Sequence, residues 1–173
     1  MSNYTRIFAK NHAYFITITT EKRRPILIDN IILLRQAFSN SMLYFNYNID
    51  AICILPDHLH MIIYPNDAKD YPSIVKSIKT YFSRYLPIRY KVSQSQSKKR
   101  ELGIWQRRYY EHTIRDEKEL KRYRNYIHYN PVKHKLSSSA KSWKFSSFNK
   151  FVNNGLYKKE WYCLDEDIDF EYE

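Results

Sequence analysis

Two apolar runs separated by a single Pro-Asp pair constrain the fold of this chain more than any other feature. The runs cover residues 49–55 and 58–64, and Pro56-Asp57 between them suits a tight turn. Both runs are apolar on what would be both faces of a strand. We therefore predict an antiparallel hairpin in the centre of a sheet that helices cover on at least one side.

The segments around the hairpin alternate between strand and helix patterns. Residues 14–20 are β-branched and aromatic, which predicts a first strand. Residues 29–43 place apolar side chains at three- and four-residue spacing, which predicts a helix with Asp29 as its N-cap. Residues 73–85 predict a second, amphipathic helix with a basic outer face.

The second half of the chain repeats the alternation. Residues 92–100 are polar and low in complexity, with no signal for an ordered element, and predict a flexible loop inside the domain. Residues 105–114 predict a fourth strand. Asp116 and Glu119 have capping-box spacing for a last helix, which Pro131 is expected to end.

The predicted order β-α-β-β-α-β-α defines the fold class. It indicates an α+β protein with a ferredoxin-like antiparallel sheet and helices packed on it. A chain of 173 residues fits one domain with a modest tail. We expect the domain in residues 1–150 and an acidic C-terminal tail in residues 151–173.

The charge is unevenly distributed along the chain. There are 29 Lys and Arg against 18 Asp and Glu, a formal net charge of +11. Six of the acids lie in residues 161–173 without a base, so residues 1–160 hold 29 bases against 12 acids, or +17. Such a body, with 17 tyrosines, indicates a nucleic-acid partner, because cations hold the phosphate backbone and aromatic rings stack on unpaired bases. A solvated, solubilising surface is the alternative.

The acidic tail either competes for the same basic surface or is a solubilising end.

The cysteine content and the hydropathy of the chain indicate the cellular compartment of the protein. Cys53 and Cys163 are too few and too far apart to indicate a disulfide framework or a cysteine-rich zinc site. No apolar run approaches the roughly 20 residues of a membrane span, and the N-terminus lacks a signal-peptide pattern. We expect a cytoplasmic protein with no membrane association.

A histidine pair lies on the second strand of the hairpin. His58 and His60 are two residues apart, which puts both imidazoles on one face and about 6.6 Å apart along the strand. Both can reach one cation, whereas a single strand histidine is usually structural. The pair indicates either a metal site or two packed core imidazoles.

The last predicted helix carries a second polar pair. Tyr126 and Asn130 are four residues apart and share one edge of the helix, beside its apolar stripe. A phenol nucleophile needs such a partly sheltered position, and a carboxamide one turn further could complete a metal shell. A tyrosine that only packs its ring is the alternative, and Tyr123 and Tyr129 are the other candidate nucleophiles.

Three motifs in this order resemble a known family. They are LPDHLHMI at residues 55–62, Trp105-Gln106, and YIHYNPVK at residues 126–133. Together they resemble the single-tyrosine transposases of the HUH superfamily, most closely the REP-associated tyrosine transposase branch. The resemblance extends from about Tyr14 to Phe148. It departs at residues 134–136, His-Lys-Leu, where the family commonly has a small residue and glycine.

The resemblance implies a reaction and a set of site residues. The family's histidine pair falls on His58 and His60, its nucleophile on Tyr126, and its third metal position on Asn130, where the related insertion-sequence transposases carry glutamine. The implied activity is cutting and rejoining of single-stranded, hairpin-containing DNA through a 5′-phosphotyrosine. Mg²⁺ or Mn²⁺ would suit this chemistry better than zinc, because charge on the phosphate must be neutralised.

Five further residues are weaker candidates. His112 on the predicted fourth strand is expected to act as an accessory ligand or proton carrier, or to be a packed strand residue. Four basic residues are candidate DNA contacts, with a solvated charged face as the equal alternative: Lys76, Lys79, Arg107 and Arg108.

Two other functions are consistent with the sequence. A non-catalytic single-stranded nucleic-acid-binding protein is one alternative, although the glycine-containing aromatic motifs of an RRM-like reader are missing. An HUH replication initiator or relaxase is another. The resemblance implies either a homodimer, as in insertion-sequence transposases, or a monomer.

Overall fold

The secondary structure alternates as the sequence pattern predicts. A computed structural model describes residues 13–158. The strands are β1 (Ala13–Thr19), β2 (Tyr47–Ile54), β3 (His58–Pro65) and β4 (Tyr110–Ile114). The helices are α1 (Ile31–Met42), α2 (Tyr71–Tyr85), α3 (Gln94–Lys98), α4 (Glu117–Lys133) and α5 (Phe148–Asn153).

The four strands form one antiparallel sheet in the order β2-β3-β1-β4. This is the order of a ferredoxin-like fold, in which β3 inserts between β1 and β2. The α+β, ferredoxin-like prediction is confirmed.

Helices cover both faces of the sheet, which explains the nearly continuous apolar runs in its central strands. On one face Tyr14, Ile16 and Ile18 of β1 join the core formed with α1 and α2. On the other face Phe15 packs in a second core with Ile127 of α4. Because strand side chains alternate, His58 and His60 point to the α4 face, while Leu59 between them points to the other.

The prediction of two central strands is correct for β3 and wrong for β2. Strand β2 lies at the edge of the sheet. Its outer edge is covered by the chain before α5, where Ile54 N donates to Phe145 O at 2.9 Å and Ser147 N donates to Ile52 O at 2.9 Å. This covering segment accounts for the apolar character of an edge strand.

The segment predicted to be a flexible loop contains α3. Ser93 and Gln96 form a reciprocal capping box: Gln96 N donates to Ser93 Oγ at 3.2 Å and Ser93 N donates to Gln96 Oε1 at 2.9 Å. The prediction that nothing there specifies an ordered element is therefore wrong, because the S-x-x-Q signature of a helix start is present.

Strand β4 is shorter than predicted. It begins at Tyr110, and Trp105 makes an isolated bridge to Thr20. Between these points the carbonyls of Gln106 and Arg107 accept hydrogen bonds from Lys79 Nζ, at 2.8 and 3.4 Å. Because these two carbonyls bind Lys79 of α2, they do not pair with a neighbouring strand, and the strand is interrupted here.

Two helix termini differ from their predicted positions. The N-cap of α1 is Asn30, one residue after the predicted Asp29. Helix α4 continues through Pro131 to Lys133, and His134 N donates to Asn130 O at 3.0 Å. Proline lacks one N–H, yet in the last turn the remaining backbone bonds suffice to continue the helix.

The packed body continues past residue 150. Phe151 is buried in the α4 core, and Tyr157 packs against it. The hydroxyl of Tyr157 donates to Asn125 Oδ1 at 3.0 Å. The acidic residues 161–173 lie outside the described residues. Within residues 13–158, no helix is long and apolar enough to cross a membrane.

Candidate active site

The histidine pair lies at the centre of the sheet, beneath α4. His58 pairs with Thr19 and His60 with Thr17 of β1. Both side chains are buried: His58 is 2% exposed and His60 is 0% exposed. Their ring centroids are 4.9 Å apart. Two buried imidazoles side by side need polar partners, because burial of an unsatisfied polar atom costs about 1–3 kcal/mol.

Each imidazole is oriented through its Nδ1 atom. His58 Nδ1 lies 2.6 Å from Asp57 Oδ1, and Asp57 Oδ2 accepts from Arg23 Nη1 at 3.3 Å. Partial burial opposes charge on Asp57, but the contacts with His58 and Arg23 outweigh it and keep the pKa of this carboxyl below its usual range. His60 Nδ1 lies 2.8 Å from Thr17 Oγ1. Orientation of this kind, by a carboxylate or hydroxyl behind the ring, is typical of metal-binding histidines.

Two buried residues have polar atoms that lack a hydrogen-bond partner. In the described part of the chain, neither His58 Nε2 nor the amide atoms Oδ1 and Nδ2 of Asn130 have a hydrogen bond. Asn130 is completely buried. These orphaned atoms would fit a cation, because an imidazole nitrogen and an amide oxygen are both metal ligands.

The ligand chemistry fits a catalytic cation better than a structural one. Within residues 13–158, no three His, Cys, Asp or Glu side chains are grouped to hold a metal ion. Two imidazoles and an amide would leave coordination positions for phosphate oxygens, unlike a closed zinc site.

Tyr126 is the tyrosine of α4 that contacts the histidine pair. Its ring centroid is 5.2 Å from that of His60, and the Nζ atom of Lys133 lies 5.2 Å from its centroid. A nearby ammonium group stabilises negative charge that develops on a phenol oxygen. Tyr126 is only 1% exposed.

The other two candidate tyrosines have different surroundings. Tyr123 packs on Phe15 at a centroid distance of 4.4 Å. Burial first, and its contact with Tyr110 second, raise the pKa of Tyr123 well above the usual value. That phenol is a poor nucleophile, because it resists loss of its proton. Tyr129, three residues after Tyr126 on α4, is half-buried.

His112 lies on the same face of the sheet but in a separate cluster. It pairs with Phe15 across the ladder, whereas His60 pairs with Thr17. Its Nε2 lies 2.7 Å from Glu119 Oε1, and its ring centroid is 5.1 Å from that of Tyr123. Through these contacts His112 links β4 to the start of α4.

The four predicted DNA-contact residues are not equally available: Lys76, Lys79 and Arg107 line one groove, and Arg108 lines another with Arg107. Lys76 is exposed on α2, and Arg108 is exposed near the start of β4. The ammonium group of Lys79 is used by the carbonyls of Gln106 and Arg107, and burial lowers the pKa of Lys79 to about 8. Arg107 is paired with Glu101, with Nε 2.7 Å from Oε1.

Sequence reasoning missed three neighbours of the site. Asp57 and Lys133 are described above, and His134 places its ring centroid 5.2 Å from that of His58. His134 follows Tyr126 and Asn130 at a constant spacing of four residues, so helical periodicity could have found it. The expected helix end at Pro131 concealed that signal.

Comparisons with known proteins identify the family of this chain. The family model described as Transposase IS200 like matches residues 8–130. A protein of Haemophilus influenzae named as a REP-associated tyrosine transposase is 40% identical over 164 residues, which cover 93% of each chain. The REP-associated tyrosine transposase of Escherichia coli is 31% identical over 163 residues, covering 93% of this chain and 91% of that protein.

A solved structure extends the similarity to three dimensions. The structure of a REP-associated tyrosine transposase bound to a REP hairpin superimposes with a TM-score of 0.81 and 30% identity. The match covers 99% of this chain and 96% of that chain. Motifs, fold and relatives lead to one conclusion: the chain belongs to the IS200-like transposase family, among its REP-associated tyrosine transposases, and is a DNA-processing enzyme of the HUH type.

Proposed function

We propose that this protein nicks and rejoins single-stranded DNA through a covalent bond between a 5′-phosphate and Tyr126. The observation that carries the proposal is the contact between Tyr126 and His60 inside one chain, at a centroid distance of 5.2 Å. A nucleophile and a candidate metal site are thus adjacent before any partner binds.

The cation site would consist of His58, His60 and Asn130. The orphaned His58 Nε2 and Asn130 Oδ1 support this set. Bound Mg²⁺ or Mn²⁺ would withdraw charge from the scissile phosphate. Asp57 and Thr17 hold the two imidazoles in place through Nδ1.

The proposed bond changes balance in each direction. In cleavage, the Tyr126 oxygen loses its proton and attacks phosphorus, and the bond from phosphorus to the 3′-oxygen breaks. The 3′-oxygen takes up a proton and leaves as a hydroxyl. In joining, the 3′-hydroxyl of another end attacks the phosphotyrosine and restores the tyrosine. No nucleotide triphosphate is needed, because the phosphotyrosine conserves the phosphodiester energy.

Hairpin-containing single-stranded DNA is the proposed substrate. The structural relative at TM-score 0.81 was solved with a REP hairpin, and the body of this chain is strongly basic. One chain holds every proposed catalytic residue, so we propose that a monomer suffices for the nick.

Detection of the covalent adduct tests the proposal. The protein is incubated with hairpin-bearing single-stranded oligonucleotides and Mn²⁺ or Mg²⁺, labelled at one end or the other, and run on denaturing gels. We expect an adduct that retains the label on the 3′ side of the nick and maps by mass spectrometry to the peptide containing Tyr126. An adduct on Tyr123 or Tyr129 would refute the assignment. DNA binding without an adduct under any of these conditions would favour the non-catalytic alternative.

A further inference from the structure

The chain between β1 and α1 makes a turn with two adjacent residues in the left-handed region. Lys22 has φ 57° and ψ 27°, and Arg23 has φ 49°. We call this the left-handed turn. Neither residue is glycine, and the region is sterically unfavourable for residues that carry a side chain. Such a conformation persists only where the surrounding structure holds it.

The left-handed turn is fastened to the Pro56-Asp57 turn of the central hairpin. Thr20 N donates to Asp57 O at 2.8 Å, and Thr20 Oγ1 donates to the same carbonyl at 2.9 Å. Leu27 N donates to Pro56 O at 2.9 Å. Thr20 and Leu27 are completely buried. The two turns therefore form one unit, although Thr20 and Asp57 are 37 positions apart in the sequence.

This unit places the Arg23 guanidinium behind the first histidine of the pair. Arg23 Nη1 donates to Asp57 Oδ2 at 3.3 Å, and Asp57 Oδ1 lies 2.6 Å from His58 Nδ1. The two oxygens of one carboxylate thus have separate partners. The Asp57 side chain is 19% exposed, so without Arg23 it would be free to turn toward solvent.

The carboxylate determines which nitrogen of His58 carries the proton. A carboxylate accepts hydrogen bonds and has no proton to donate. His58 Nδ1 must therefore be the donor, and the neutral ring then has its lone pair on Nε2. In the described part of the chain, this buried Nε2 lacks a hydrogen-bond partner. A lone pair, rather than a proton, is what a metal ion requires of that nitrogen.

The corresponding partner of His60 is less selective. His60 Nδ1 lies 2.8 Å from Thr17 Oγ1, and a hydroxyl can donate or accept a hydrogen bond. The Thr17 contact orients the His60 ring but fits either tautomer. His58 is thus the imidazole whose Nδ1 partner selects the tautomer.

We propose that Arg23 is a positioning residue for the candidate cation site. It holds the Asp57 carboxylate against His58 Nδ1, and this keeps the Nε2 lone pair of His58 available to a metal ion. The left-handed turn brings Arg23 to that carboxylate. The proposal rests on the proposed function for the ligand role of His58. Arg23 acts through Asp57 and takes no part in the bond changes.

Four substitutions test the proposal. Arg23→Gln removes the guanidinium, whereas Arg23→Lys keeps a cation beside the carboxylate. Lys22→Gln is the matched control, because it removes one positive charge from the neighbouring exposed residue of the same turn. Asp57→Asn replaces the carboxylate by an amide, which can donate as well as accept. Thermal unfolding confirms that each variant folds.

NMR of the metal-free chain reads the tautomer of His58. With ¹⁵N-labelled histidine at about pH 8, where the ring is neutral, long-range proton–nitrogen spectra distinguish a protonated ring nitrogen from one with a lone pair. The signals of His58 are those missing in His58→Gln. Wild type, Lys22→Gln and Arg23→Lys should show the proton on Nδ1.

In Arg23→Gln and Asp57→Asn the signals of the two His58 nitrogens should approach each other, because the proton is then shared between both positions. A proton on Nε2 of His58 in the wild-type chain would overturn the proposal. An unchanged His58 spectrum in Arg23→Gln would overturn it as well.

Calorimetry with Mn²⁺ measures the consequence for the cation site. Affinity should fall about tenfold or more in Asp57→Asn, because residues that hold a metal ligand in place typically change affinity by this much. It should fall about fivefold in Arg23→Gln, whose ion pair is partly exposed. Arg23→Lys and Lys22→Gln should stay within about twofold of wild type. An equal loss in Arg23→Gln and Lys22→Gln would assign the effect to net charge and refute the proposal.

DNA affinity without metal distinguishes positioning from a direct contact between Arg23 and DNA. Anisotropy with a hairpin-bearing oligonucleotide in EDTA should give equal affinities for Arg23→Gln and Lys22→Gln. Weaker DNA binding by Arg23→Gln with unchanged Mn²⁺ affinity would show that Arg23 contacts phosphate instead. If the wild-type chain binds no Mn²⁺, the cation site of the proposed function fails, while the His58 spectra still decide whether Arg23 sets the tautomer.

Discussion

Tyr126 and His60 lie in the same chain with their ring centroids 5.2 Å apart, one on α4 and the other on the central strand β3. The contact joins two residues that are 66 positions apart in the sequence. It depends on α4 packing over β2 and β3, on the face of the sheet opposite to α1 and α2.

Tyr126→Phe should abolish covalent adduct formation while leaving DNA affinity within about threefold. The substitution removes the nucleophilic oxygen and keeps the ring that packs against Phe15 and His60. Denaturing gels measure the adduct and anisotropy the affinity. Tyr129→Phe, on the same helix, is the matched control and should retain the adduct. Normal cleavage by Tyr126→Phe would show that another residue attacks the phosphate.

The double variant His58→Ala/His60→Ala should lose Mn²⁺ binding as well as cleavage. Asn130 alone cannot hold a cation, because a site usually needs several protein ligands. Calorimetry with Mn²⁺ gives a readout that does not depend on DNA. His112→Ala is the control: its ring lies in the separate cluster with Glu119 and Tyr123, so Mn²⁺ affinity should be unchanged. Equal affinity in the double variant would mean that the pair is only structural.

His128 should make the stability of the fold depend on pH. The residue is completely buried on α4, with Nε2 at 2.8 Å from Ser147 Oγ and Nδ1 at 3.2 Å from the Tyr157 hydroxyl. Burial first, and the charge of Arg124 second, lower the pKa of His128 to about 3. The unfolded chain, with an ordinary histidine pKa near 6.5, binds more protons between these values.

The stabilisation from neutral His128 is therefore complete above about pH 6.5 and is lost progressively as the pH falls toward about 3. We expect the free energy of unfolding, measured with urea, to fall by about 1 kcal/mol per pH unit between pH 6 and 5. His128→Gln should flatten this dependence. It should also destabilise the protein by about 1–3 kcal/mol at pH 7.5, because it disturbs the hydrogen bonds to Ser147 and Tyr157. The same slope in both proteins would assign the pH dependence to other groups.

A chain that ends at Glu160 should bind single-stranded DNA more tightly than the full chain at low salt. The truncation removes six acids but keeps Tyr157, which packs on the body. An acidic tail attached to a basic surface competes with DNA at a high effective concentration. The advantage should shrink as salt screens both interactions. Equal affinities throughout a salt titration would identify the tail as a solubilising end.

Local periodicity was enough to predict which side chains share a face. Alternation along a strand puts His58 and His60 on one face whatever the fold around them. Helical spacing likewise puts Tyr126 and Asn130 on one edge. The order of strands and helices was sufficient to predict the ferredoxin-like sheet, because few topologies bury such runs on both faces.

Which of these local features come into contact depends on the three-dimensional packing of the chain. It selects Tyr126 rather than Tyr123 as the neighbour of His60, and it makes Lys79 a half-buried support of the Gln106 and Arg107 carbonyls instead of a free surface cation. It also covers the edge of β2 with the segment around Ser147. These contacts depend on packing between segments that are far apart in the chain. The hydrophobic periodicity of one segment predicts its secondary structure but not which other segment packs against it.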